Sequence, residues 1–385
     1  TAHCPPPSAS RLAGVNTVSA PLYSPFESWR GPDDGPGPDH ARWHSVIRRE
    51  AAAGGVALIG FSSDEGVQRN GGRAGAAEGP AALRHALADL AIHDEALRFD
   101  VGTVTTQGED LESAQRELSE RVRDLAATGN LVVVLGGGHE TSFATHRGVR
   151  EARGEMSIIN LDAHFDLRDA PYPTSGTPFA QIAQLCGDQF NYSVLGVSEP
   201  NNTATLFHTA ARLGVRTVLD TELAQLSPAE CARVALDCVA GQRPIHLSID
   251  LDVLPASTAP GVSAPAGFGV ALEKIRAIAT AVAGTGRLVL VDVVELNPRY
   301  DIDARKRHEL RLAATVEIND RLRAGGDAGD GRFDGLGRAD PAGPDLLGDA
   351  RRVEGAERVV AVGRHPSGLV VLANLLVGHG GAGVG

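Results

Sequence analysis

The stretch "INLDAHFDLR", residues 159–168, decides how this chain is read. It starts inside the short apolar, β-branched run "MSIINL", of the kind that forms a buried strand. It then sets Asp162, His164 and Asp166 at alternate positions. Side chains of an extended strand alternate faces with period 2, so all three are expected on one face at the strand's C-terminal end. Two carboxylates and an imidazole crowded there are costly to bury without a partner. A divalent cation relieves that cost.

Seven further apolar runs resemble the one that carries this stretch (156–164). They cover 55–61, 97–104, 130–138, 192–197, 215–220, 244–252 and 286–296. Helix-compatible segments lie between them, among them "GPAALRHALADLA" (79–91), "LESAQRELSERVRDLAATGN" (111–130) and "SPAECARVALDCVAG" (227–241). The second closes on Gly-Asn, a helix stop signal. Strands alternating with helices predict a three-layer α/β/α fold around a doubly wound, mainly parallel eight-stranded sheet, covered on both faces. Residues 51–324 are expected to form this domain, after an N-terminal extension over 1–50. A further helix is expected from Arg305, and a Gly/Asp/Pro-rich linker and tail over 325–385.

The bulk properties narrow the function. The 385 residues carry a formal net charge of -12, which argues against nucleic acid or an anionic membrane surface as the main partner. Cys4, Cys186, Cys231 and Cys238 show neither the pairing of a disulfide framework nor the spacing of a zinc site, so a reducing cytoplasm is expected. The start of the sequence lacks the pattern of a signal peptide, and no apolar run approaches the roughly 20 residues of a membrane span.

In doubly wound sheets, ligands gather at the carboxyl ends of the strands. Here the chemistry follows four of them. "SSDEGVQRNGGRAGAAEGP" (62–80) comes after the first, "GGGHE" (136–140) after the third, "DAHFD" (162–166) after the fourth and "SIDLD" (248–252) at the end of the seventh. His139, Asp162, His164, Asp166, Asp250 and Asp252 together make two imidazoles and four carboxylates. That is too many for one zinc, which usually takes four ligands. It suits two divalent ions bridged by carboxylates, the oxygen-rich set favouring Mn²⁺ or Mg²⁺ and the imidazoles tilting the choice to manganese. Such a pair lowers the pKa of a shared water toward neutrality and makes a protein nucleophile unnecessary. No GxSxG elbow is present, and "GGGHE" lacks the Lys-Ser/Thr of a phosphate-binding loop. Glu140 is expected to support its loop rather than bind metal.

These motifs resemble the ureohydrolase family of arginases and agmatinases, dinuclear manganese enzymes. The family's GG-x-H-x, DAHxD and SxDxDxxxP patterns stand here as "GGGHE", "DAHFD" and "SIDLDVLPASTAPG", and its D-x-x-E-x-N-P stretch as "DVVELNP". The resemblance spans roughly residues 55–300. It implies two Mn²⁺ per subunit and a homo-oligomer, with Glu295 gripping the amidine or guanidine group of a small-molecule substrate. Where arginases carry a histidine proton shuttle, 13 residues beyond Asp166, stands Phe179; where they read the amino acid's carboxylate with asparagine stands Arg168. "DAHFDLR" and "SGTPF" are similar to the formimidoylglutamase branch. That branch hydrolyses N-formimidoyl-L-glutamate to L-glutamate and formamide in histidine degradation.

Such a substrate carries two carboxylates, which suit arginine's planar fork. Arg168 is expected to clamp a carboxylate, with Ser175 and Thr177 as hydroxyl donors, and Arg69, Asn70 and Arg73 as further candidates. Asp166 is the expected proton carrier and Glu295 the orienting carboxylate. The alternatives are another ureohydrolase acting on a guanidino substrate and a non-catalytic metal-binding relative.

Overall fold

The computed structural model describes residues 22–25 and 28–301. The helix expected from Arg305 and the tail over 325–385 lie outside the described residues. The described strands are β1 (Tyr23–Ser24), β2 (Val56–Ser62), β3 (Arg98–Thr105), β4 (Leu131–Leu135), β5 (Ser157–Leu161), β6 (Tyr192–Val197), β7 (Arg216–Leu219), β8 (Ile245–Asp250) and β9 (Leu288–Val294). They form one sheet in the order β1-β3-β2-β4-β9-β8-β5-β6-β7. β2 through β9 pair in parallel, and these are the eight strands expected. The ninth, β1, pairs antiparallel along the outer edge of β3. At two residues it is too short to leave a period in the sequence.

Strand alternation accounts for the three layers. Leu131, Val133 and Leu135 of β4 join a cluster with Leu83 and Leu87 of the helix Gly79–Ala88 and with Ile275 and Ile278 of the helix Leu272–Ala283. Val132 and Val134 point the other way, into a cluster with Leu111, Leu118 and Val122 of the helix Leu111–Ala127. Both faces of the strand are buried, so it reads as an unbroken apolar run rather than an alternating one. The 1–50 segment contributes to this core, because Trp43 is fully buried in the first cluster.

Local signals fix the helix ends. The Asp110 carboxylate accepts from the Ser113 N–H at 3.0 Å to open the helix Leu111–Ala127, and Gly129 leaves it at φ 86°. Ser227 and Glu230 form a reciprocal capping box at Pro228–Cys238.

Sheet order, not chain order, builds the site. β4, β9, β8 and β5 are consecutive neighbours, although β9 is last in sequence. Their register sets Leu135 beside Val293, Asp250 beside Val294, and Leu161 beside Ile249. The residues that follow on each strand therefore emerge at one level along the carboxyl edge.

Candidate metal centre

β5 ends at Leu161, earlier than the expected 156–164, so the alternation that predicted one face for Asp162, His164 and Asp166 does not operate. The chain instead folds back through a loop in which Asp166 takes φ 49°. A non-glycine residue held in the left-handed region stores strain that the surrounding contacts must offset. The only other such residue among those described is Glu295, at φ 65°. Both lie at this site. On β8, Asp250 ends the strand and its carboxylate accepts from the Asp252 N–H at 2.8 Å, starting the turn Leu251–Val253.

Six of the expected ligands converge in two overlapping groups. His139 Nδ1 lies 3.2 Å from Asp162, 2.9 Å from Asp166 and 3.0 Å from Asp250, in each case from one carboxylate oxygen. His164 Nδ1 lies 3.0 Å from Asp252 and 3.5 Å from Asp162. Asp162 belongs to both, presenting Oδ2 to His139 and Oδ1 to His164. The groups His139–Asp162–Asp166–Asp250 and Asp162–His164–Asp252 each bring their ligand atoms within 4.8 Å of one another.

These donors fit two divalent cations. One ring nitrogen cannot satisfy three carboxylates, and His139 Nδ1 makes no hydrogen bond of acceptable geometry although it is buried. Its other nitrogen, Nε2, lies 3.0 Å from the Ser248 hydroxyl, which in turn meets Ser142 at 3.1 Å. A histidine ligand held by its second nitrogen is the arrangement metal sites favour.

The charges agree. Burial would lower the pKa of His139, but Asp162, Asp166 and Asp250 hold it well above the ordinary imidazole value. His164 is pushed up to about 12 against burial, chiefly by Asp252 and Asp162. Burial raises Asp250 and Asp166, with Asp252 and Asp162 respectively adding to the shift, whereas contact with the imidazoles outweighs burial at Asp162 and lowers it. The arrangement thus favours the cationic form of both imidazoles, at the positions cations would take.

Glu295 stands at the end of β9. Its N–H donates to Gly137 O at 2.8 Å, and its Oε1 accepts from the His139 N–H at 3.0 Å. Oε2 is buried without a protein partner. Burial pushes this carboxyl up to about 8, with Glu140 and Asp252 adding to it. Glu140 lies outside both ligand groups. It accepts from Ser63 Oγ at 2.9 Å and the Gly66 N–H at 3.0 Å, the supporting role expected of it.

The cavity above these groups is about 260 Å³, slightly below the roughly 300–1,000 Å³ usual for ligand pockets, so it suits a small substrate. Of the expected substrate contacts, Arg168, Asn70 and Ser175 line it, and the Asn70 amide donates to Ser175 Oγ at 3.2 Å. Thr177, Arg73 and Arg69 do not. The Thr177 hydroxyl is turned into its own loop, onto Thr174 O at 3.0 Å and Gln181 Oε1 at 3.1 Å. Arg73 holds the carbonyls of Val262 and Ser263 and stacks on Tyr300. Arg69 pairs with Glu65 and Glu112. Lining residues that escaped the sequence reading include Asn202, Leu206, Ser263 and Ala264. Ser263 and Ala264 lie just beyond the quoted "SIDLDVLPASTAPG" (248–261), whereas nothing near Asn202 or Leu206 pointed to them.

Residues 54–318 match the Arginase family, and the chain belongs to that family. It is 49% identical over 299 residues to the formimidoylglutamase of Corynebacterium efficiens, covering 74% of this chain and 95% of that relative. It is 46% identical over 282 residues to that of Chromobacterium violaceum, covering 71% and 90%. The formiminoglutamase of Trypanosoma cruzi, solved with Mn²⁺, superimposes with a TM-score of 0.64 at 26% identity, over 69% of this chain and 93% of that one. The formimidoylglutamase of Bacillus subtilis shares the fold, with a TM-score of 0.68 at 20% identity over 73% and 92%.

Proposed function

We propose that this chain hydrolyses N-formimidoyl-L-glutamate to L-glutamate and formamide, in the degradation of histidine. The observation that carries the reading is Arg168, the only Arg or Lys among the described residues lining the cavity. Among the described residues its guanidinium has no carboxylate partner. A free guanidinium fork beside a neutral amide and a hydroxyl is built for an anionic substrate arm. A guanidino substrate with a cationic head and at most one carboxylate uses such a wall poorly. The names of the relatives just described support the same choice.

Two divalent cations, held by His139, Asp162, Asp166 and Asp250 and by Asp162, His164 and Asp252, supply Lewis acidity and lower the pKa of a water toward neutrality. Manganese is the proposed metal. The remaining work falls to the chain. Arg168 anchors a substrate carboxylate, and Asn70 and Ser175 add neutral donors. Glu295 Oε2, the buried acceptor without a protein partner, receives the N–H of the formimidoyl head and turns its carbon toward the ligand groups. Asp166 takes the proton released as water adds to that carbon and returns it to the glutamate nitrogen as the C–N bond breaks. The glutamate then leaves and formamide remains. A homo-oligomer in a reducing cytoplasm completes the proposal. Among the described residues no helix is long and apolar enough to cross a membrane, and Cys186, Cys231 and Cys238 are free thiols.

The test is turnover by the Mn²⁺-loaded protein of formimidoylglutamate, arginine and agmatine, with glutamate, formamide, ammonia and urea quantified. Equal glutamate and formamide, abolished by Asp250→Ala, is the expected result. Arg168→Ala should raise KM by roughly 10–100-fold, the loss of a charged hydrogen bond worth about 1.5–3 kcal/mol. Urea from either guanidino substrate at a comparable rate overturns the assignment.

A further inference from the structure

One side chain brackets the backbone on both sides of His164. Asn202 sits just past β6, where the turn Glu199–Asn201 ends, and is 7% exposed. Its Oδ1 accepts from the Phe165 N–H at 3.2 Å. Its Nδ2 donates to Ala163 O and to Ser198 O, both at 2.9 Å. Two of these three bonds therefore fall on the residues flanking His164. Past the end of β5 at Leu161, the amide extends a pairing that the backbone begins, in which the Ser198 N–H donates to Ala163 O at 3.0 Å.

We propose that Asn202 is a positioning residue that sets His164 for the second of the two cations, an inference resting on the two-cation reading of the site. Three observations carry it. The bracketed backbone carries the second group's imidazole, and the Ala163 N–H also meets Asp252 Oδ1 at 3.3 Å while His164 Nδ1 lies 3.0 Å from Asp252. Asp166, beyond Phe165, has an anchor of its own, its carbonyl accepting from the Phe179 N–H at 3.2 Å. Only a primary amide offers a planar acceptor together with two donors, and Asn202 uses all three. The first group is fixed by other means: Ser248 behind His139, and the Asp252 N–H on Asp250. Loss of Asn202 should therefore separate the two cation affinities. Asn202→Asp sets a carboxylate against the carbonyls of Ala163 and Ser198 in place of a donor. Asn202→Ser removes the bracket without adding a charge.

Cation-free full-length protein is titrated with Mn²⁺ alone, with free Mn²⁺ counted by its EPR signal and no substrate present. The parent should take up two equivalents. Both variants should bind the first equivalent within about two-fold of the parent and the second roughly 10–100-fold more weakly, the usual cost of removing a group that orients a ligand. Retention of the first equivalent shows that the variant is folded around its site. Two unchanged equivalents in the variants, or equal weakening of both, overturn the role of Asn202 while leaving the two-cation reading intact. Fewer than two equivalents in the parent overturns that reading and this inference with it.

Discussion

Asp162 offers one oxygen to each ligand group, Oδ2 at 3.2 Å from His139 and Oδ1 at 3.5 Å from His164. Asn160, near the end of β5, donates to Oδ2 at 2.9 Å and also to Tyr192 Oη at 3.0 Å, so the shared carboxylate cannot turn freely. The first group depends in the same way on Ser248. Its hydroxyl meets His139 Nε2, which leaves Nδ1 to face the carboxylates. Ser248→Ala should weaken binding of the first cation by roughly 10–100-fold, read by the same Mn²⁺ titration, and an unchanged first equivalent would show that Ser248 only fills space. All six side chains that converge at this edge were legible in the sequence because their chemistry is costly to bury and their spacing is unusual. Thr177 and Arg73 were misassigned because hydroxyl and guanidinium donors readily find backbone carbonyls, Thr177 in its own loop and Arg73 on Val262 and Ser263 far along the chain, and composition cannot say which loop claims them.

The strands were legible from their apolar runs, but each of β4, β5, β8 and β9 stops short of its apolar and polar run, and the site begins where it stops. Apart from Asp250, the last residue of β8, the converging side chains are delivered by the loops after the strands and not by strand alternation. Gly137 shows why that edge tolerates little change. A Cβ there would run into the backbone of Ser63, while the Gly138 N–H donates to Ser63 O at 3.0 Å and the Glu295 N–H to Gly137 O. Gly137→Ala must push the loop after β2 away from the loop that bears His139. It should destabilise the protein by about 1–3 kcal/mol, typical of overpacking, and weaken the first cation. A melting temperature and a first equivalent both equal to the parent's would show that the two loops part without consequence. β1 and the burial of Trp43 were not legible, because a two-residue edge strand and a single aromatic have no period.

Across the molecule, the carboxyl edge collects charge that folding alone does not satisfy. Glu140 and Glu295 are raised from 4.5 to about 7 and about 8, burial being the largest cause for both. His164 is raised from 6.5 to about 12. Between pH 4.5 and 8 these groups bind more protons in the folded than in the unfolded chain, so their linkage lowers stability as pH rises. The stabilisation His164 supplies is complete below pH 6.5 and is lost as pH climbs toward 12. The cation-free protein should therefore melt at lower temperature at pH 8 than at pH 6. Cation binding displaces protons from the histidines, so affinity for Mn²⁺ should rise over the same interval and the melting-temperature gain on loading should be larger at pH 8. A gain that shrinks with pH would mean that the titrating groups lie outside the cation site. The doubly wound architecture was legible from the alternation of strands and helices. The insertion of β9 and β8 between β4 and β5 was not, because order within a sheet is set by packing between distant segments.

The most direct measurement is an anomalous difference map at the manganese edge, from crystals of the protein grown with Mn²⁺. The account predicts two peaks on either side of the Asp162 carboxylate, one against His139, Asp166 and Asp250 and the other against His164 and Asp252. A single peak, or two peaks elsewhere with these side chains turned away, would contradict it.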